Sequence, residues 1–128
     1  MPDDEELIGD AEKLYRGVIR NPNFWIEADN FPSTAIFKDS KGVSVDRDGG
    51  RDDCAIVKNM CLIKDFRALA MVTAKQCRDS ETHPIPKKIP KNPFHAEIHD
   101  SPDKVKITAN GKLRRLMQCV ILIKTDIE

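Results

Sequence analysis

The sequence predicts a single small α+β domain, with two or three helices packed on a mixed or antiparallel sheet, and three observations carry that expectation. The chain has 128 residues, enough to enclose one hydrophobic core and too few for two. Its apolar residues recur in short clusters along the whole length, some alternating with polar ones and some at helical spacing. Apolar residues make up 40% of the chain and charged residues 33%, the balance of a folded chain with a heavily solvated surface.

The elements follow in order. Asp3 with Glu6 three residues on resembles a capping box, so a helix is expected from Asp3 to about Lys13. Leu7, Ala11, Leu14 and Val18 would carry that helix further, but Gly17 and the β-branched Val18 and Ile19 favour a strand over 14–19. Asn21-Pro22-Asn23 is a turn. Residues 34–38 and 42–47 flank the turn formers Asp39-Ser40-Lys41 and read as the two strands of a hairpin. A loop over 46–53 ends on helix-capping aspartates, and the stripe of Cys54, Val57 and Cys61 predicts a helix from Asp53 to Phe66. Residues 69–73 read as a strand.

Five of the eight prolines fall between Pro84 and Pro102, which excludes a helix there. The segment 83–102 is therefore expected to run extended over the surface, mostly without regular structure. Within it, Phe94-His95-Ala96-Glu97-Ile98-His99 alternates and reads as a short edge strand. A last helix follows Asn110, with Leu113, Leu116, Met117, Val120 and Ile121 on its apolar face. Trp25 belongs to the core or to a loop hinge.

Lys plus Arg and Asp plus Glu both number 21, so no overall field draws the chain to nucleic acid or to an anionic membrane. The charge is uneven, with a balance of −5 over residues 1–50 and +5 over 51–128. The longest apolar runs are five residues, at 68–72 and 119–123, far below the roughly 20 that a membrane helix needs. The acidic start is unlike a secretory or mitochondrial leader, and a cytoplasmic location is expected. Cys54, Cys61, Cys77 and Cys119 form no Cys-x-x-Cys pair. They are expected to be reduced, at least three of them substantially buried among apolar neighbours.

The candidate site starts from His95, Glu97 and His99, which a strand would send to one face. Two imidazoles and a carboxylate so placed suit acid/base or ligand-binding work, or simply a polar outer face. They would also suit a three-ligand metal site, but the spacing is not that of the zinc proteases, and no metal or cofactor is assigned. Arg16 lies among apolar neighbours on a strand, where a guanidinium either reaches water or meets an anion. Ser44, with Arg47 and Lys38 nearby, adds a hydroxyl and cations suited to an anionic ligand, though no phosphate-binding loop motif accompanies them. The site so read comprises His95, Glu97, Arg16 and Ser44 as candidate catalytic residues and Arg47 and Lys38 as ligand contacts.

Leu-Tyr-Arg, Ser-Thr-Ala-Ile-Phe-Lys, Gly-Val-Ser-Val-Asp-Arg and Asn-Pro-Phe-His-Ala-Glu-Ile, spread over 14–123, resemble a group of small bacterial proteins of unknown function. More distantly, Arg16, Ser44 and Glu97 resemble in order the arginine, serine and glutamate of the ADP-ribosyltransferase superfamily. The middle motif here is Val-Ser-Val, and His95 stands where that superfamily has a second glutamate or a glutamine. Two functions follow as expectations. One is a non-catalytic interaction or accessory module of a bacterial-type cytoplasmic system, docking a protein partner through its charged halves and proline-rich arm. The other is a small enzyme or toxin-like domain binding a nucleotide, nucleic acid or other anionic small molecule in a His/Glu/Arg pocket. Convergence of Arg16, Ser44, Arg47 and His95 or Glu97 on one concavity would separate them.

Overall fold

The computed structural model describes residues 8–125. Its centre is a six-stranded sheet whose registered strand pairs are all antiparallel. In chain order the sheet strands are β1 (Lys13–Val18), β4 (Val43–Arg47), β5 (Ala68–Thr73), β6 (His83–Pro86), β7 (His95–His99) and β8 (Ile121–Thr125). Across the sheet they run β6-β7-β4-β1-β5-β8, and β2 (Trp25–Ile26) and β3 (Phe31–Pro32) form a separate two-stranded ribbon. Three helices complete the α+β fold: α1 (Asp53–Ile63), α2 (Ala74–Asp79) and α3 (Asn110–Cys119).

Strand alternation sorts the side chains between two cores. Leu14, Val18, Val43, Val45, Ala70, Val72, Ala96 and Ile98 face the larger one, which includes Leu113 and Leu116 of α3 and Cys77 of α2. Tyr15, Leu69 and Met71 face the smaller one, under Ile56 and Met60 of α1. Helix α1 is capped by Asp52, whose carboxylate accepts from the Ala55 amide, and is anchored where the Tyr15 hydroxyl donates to Asp53 at 2.5 Å. Burial first, then this bond, holds the Tyr15 phenol well above its ordinary pKa. Because α1 packs over Tyr15 of β1, Leu69 and Met71 of β5 and Ile123 of β8, its apolar contacts lie on that half of the sheet face. The β4 and β7 side chains on the same face lie beside it.

Several expectations are corrected. Residues 34–38 are not a strand: Thr34–Phe37 is a 3-10 turn capped by Ser33, which accepts from the Ala35 amide. Ile36 and Phe37 are both buried, whereas successive strand residues point to opposite faces. Burying two such side chains is worth about 1.5–3 kcal/mol each, more than a solvent-facing hairpin would return. The helix expected from Asp3 to about Lys13 lies outside the described residues up to position 7; over its remainder there is no helix, since residues 9–12 make a turn closed by the Glu12 amide on the Gly9 carbonyl and Lys13 opens β1.

The proline-rich segment is more regular than expected. Pro84 and Pro86 lie on β6, at the outer edge of the sheet, where a missing N–H is tolerated. That makes β7 an interior strand, not an edge strand, and leaves residues 87–94 and 100–102 of the segment without a strand. Helix α1 stops at Ile63 instead of Phe66, and α3 stops at Cys119, so Ile121 belongs to β8. Helix α2 was not anticipated; its capping box pairs Thr73 with Gln76.

The four cysteines are free, but only Cys77 is buried; Cys61 and Cys119 are half-buried and Cys54 is exposed. Position on an amphipathic helix, not the apolar character of neighbours in sequence, decided this. Burial pushes the Cys77 thiol up to about 12, so almost none of it is thiolate at neutral pH. Titration of the native protein with a thiol reagent should label Cys54 first and Cys77 only on unfolding. Equal native rates for the two would contradict the placement.

Candidate functional site

Strands β1 and β4 carry only two registered pairs, Leu14 with Arg47 and Tyr15 with Asp46, although β1 pairs with β5 along all six of its residues. Beyond Tyr15 the two strands part, and Arg16 occupies the fork. Its Nε donates to the Ile36 carbonyl at 2.9 Å and its Nη1 to the Ser44 carbonyl at 3.0 Å. The guanidinium thus supplies the donor that the lapsed ladder no longer gives to β4. Glycine at position 17 makes room beside the fork for the Phe66 ring, which lies where a Cβ would stand.

A cleft of about 370 Å³ opens at this fork. Arg16, Asp39, Ser44, Asp46 and His95 line it, and Phe24, Met60 and Phe66 supply apolar wall, with exposed Lys64 among the lining residues. The shared face of Ser44, Asp46, His95 and Glu97 follows from register, since Ser44 pairs with Glu97 and Asp46 with His95. The adjacent pairs Val43 with Ile98 and Val45 with Ala96 are buried in the larger core, which turns the polar pairs the other way.

The electrostatics of the cleft are set by burial. Desolvation lowers the Arg16 pKa, with Asp39 the one carboxylate that offsets it, yet a guanidinium remains charged at any physiological pH. Among the described residues no carboxylate makes an ion pair with Arg16, and only two of its five N–H donors have partners. Asp46 shows the opposite effect: burial raises its pKa, against the hydrogen bond from Asn92 and the nearby Arg51 and His95. The cleft therefore combines a desolvated cation with a carboxylate held closer to neutrality than usual. His95 Nδ1 lies 2.9 Å from the Lys87 carbonyl, which can only accept, so Nδ1 carries the proton and a neutral ring keeps Nε2 as an acceptor.

Of the residues singled out from sequence, Arg16, Ser44 and His95 line this cleft. Glu97 shares the strand face of Ser44 and His95 but is not in the cleft wall; it lies 2.7 Å from His99 Nε2, with both side chains largely buried. Gly42 seals that pair, since its φ of +103° and an added Cβ only 2.6 Å from Glu97 Oε1 exclude other residues there. Arg47 is spent on Glu12, with contacts of 3.0 and 2.9 Å, and Lys38 is exposed at the end of the 3-10 turn. Neither lines the cleft. Among the described residues no three His, Cys, Asp or Glu side chains are grouped to hold a metal ion, and no helix is long and apolar enough to cross a membrane.

Asp46, Asp39, Lys64 and Phe66 were missed. Asp46 carried a readable signal, because it stands two residues after Ser44 in an alternating strand and must share its face. Lys64 and Phe66 carried none, since they reach the cleft from the end of a helix on another part of the chain. No protein-family model matches the chain, and no curated protein or solved structure is significantly similar to it.

Proposed function

We propose that the protein is a binding module for a small anionic ligand, a phosphate- or carboxylate-bearing molecule received at the β1–β4 fork by Arg16. The observation that carries this reading is the half-buried Arg16 guanidinium, which has no ion-pair partner among the described residues and faces a cleft with donors to spare. Burying a cation without a counter-charge costs free energy, and a bound anion returns it through charge-assisted hydrogen bonds. Ser44, on the cleft wall, adds a hydroxyl donor. Docking of a protein partner by a proline-rich arm has less to stand on, because much of that arm is taken up into the sheet as β6 and β7. Nucleic acid would find a chain of zero net charge with two carboxylates in the cleft.

The test is titration with inorganic sulfate, whose charge is constant across the neutral range, followed by amide chemical shifts. Saturable binding with Kd on the order of 1 mM is expected, about the 4 kcal/mol that a few charge-assisted bonds supply in water. Shifts should centre on residues 16–19, 44–46 and 95. Asp39→Asn keeps the oxygen that accepts from the Lys41 amide and removes the charge opposing the ligand, so sulfate should bind it severalfold more tightly. Linear, unsaturated shifts spread over the basic surface would overturn the reading.

A further inference from the structure

Beside the fork cleft lies a second groove of about 400 Å³. The two share three wall residues, Asp46, Met60 and Phe66, and so form one continuous depression from the fork to the end of α1. The second groove is apolar in character: Ile63 and Ile89 stand on its sides, 76% and 43% exposed, where isolated isoleucines gain nothing from water. Two of its polar residues, Asn92 and Asp46, are bonded to each other. Asn92 donates through Nδ2 to Asp46 Oδ1 at 3.0 Å and accepts through Oδ1 from the Phe94 amide at 2.9 Å. Lys91 lies at its rim.

We infer that the ligand is an amphiphilic organic anion, its phosphate or carboxylate head at Arg16 and its alkyl or aryl body in the groove between Met60, Phe66, Ile63 and Ile89. This rests on the anion-binding reading of the fork. A nucleotide fits the combined site less well, because the polar edges of a base and the ribose hydroxyls would lie mostly against Met60, Phe66, Ile63 and Ile89, with only Asp46, Asn92 and Lys91 to replace their bonds to water. An apolar body gains by the same surface, since it covers exposed isoleucine on a wall that is mostly apolar. Head and body recognition are thus separated along one channel, with Phe66 at the join.

The experiment compares inorganic phosphate, n-hexyl phosphate below its aggregation concentration and adenosine monophosphate. It uses the wild-type chain, Arg16→Met, and the pair Ile63→Ser and Ile89→Ser, whose exposed positions tolerate serine and whose folding is checked by circular dichroism. Hexyl phosphate should bind wild type at least about thirtyfold more tightly than phosphate, as partial burial of six methylene-sized groups implies. The serine substitutions should remove most of that gain and leave phosphate affinity unchanged. Arg16→Met should lose both ligands. If phosphate binds through Arg16 but the hexyl chain adds nothing, or adenosine monophosphate binds more tightly than hexyl phosphate, the inference fails and the anion site stands. If the hexyl gain survives the serine substitutions, the groove is not where the chain lies, and the inference fails as well. If phosphate does not bind at all, both readings fall.

Discussion

Arg16→Met is expected to abolish sulfate binding while lowering the free energy of unfolding by no more than about 2 kcal/mol. Two opposing effects set the stability term. The Ile36 and Ser44 carbonyls lose their donors, which costs about 1–3 kcal/mol for a group that stays dry. The Ser44 bond is at the exposed side of the fork, so water replaces that donor cheaply. Against this, the fold no longer desolvates a cation that lacks an ion-pair partner among the described residues, while methionine preserves much of the packed volume. The binding term has no such compensation. A charge-assisted hydrogen bond is worth about 1.5–3 kcal/mol, so losing even one weakens the ligand by a factor of about 10 to 150. Arg16→Lys should restore binding only in part, because one ammonium cannot bridge two carbonyls and still present a planar fork to an anion. Urea unfolding and sulfate titration on the same samples check both terms. A variant that binds sulfate as wild type does would show Arg16 to be a structural clamp alone.

Gly17→Ala should lower stability by about 1–3 kcal/mol, although the same change in an open strand raises it by some tenths. The sign depends on Phe66. Three atoms of its ring lie within the space an added Cβ would need, so the ring must move, and it is a wall of both the fork cleft and the groove beside it. Phe66→Leu should relieve the conflict, and the double variant should lose less than the two single changes together. Denaturant unfolding of the three variants gives the coupling directly. A Gly17→Ala chain as stable as wild type would mean that the ring yields freely and does not need the room that glycine leaves.

Much of the fold was legible because the signals were local. Val43, Ser44, Val45 and Asp46 alternate, so a strand with Ser44 and Asp46 on one face follows from backbone geometry. Asp52 and Asp53 ahead of an apolar stripe mark the start of α1, and the beginning of α3 near Asn110 is equally clear. His95 and Glu97 do share a strand face, as their spacing required. The misreadings were of another kind. Residues 34–38 have strand-like composition, but Ile36 and Phe37 are drawn together into the core, and a 3-10 turn satisfies both. Ile121 continues a helical stripe on paper, yet the run Val120-Ile121-Leu122-Ile123 finds a free edge beside β5 and extends it.

The sequence by itself determined the α+β class, the strands β1, β4, β5 and β7, the helices α1 and α3, and which residues of those strands look the same way, since these depend on the conformational preferences of a few consecutive residues. Only the tertiary structure decided which of those faces meet. Arg16 and Ser44 are joined across 28 positions because β4 lies beside β1 and then leaves it. His95 enters the same cleft because β7 pairs with β4 in the register that sets it opposite Asp46. Glu97, one position further along the same face, is lost to the site because His99 reaches it first. Strand order and the lapse of one ladder are products of core packing between distant segments, and no local period encodes them.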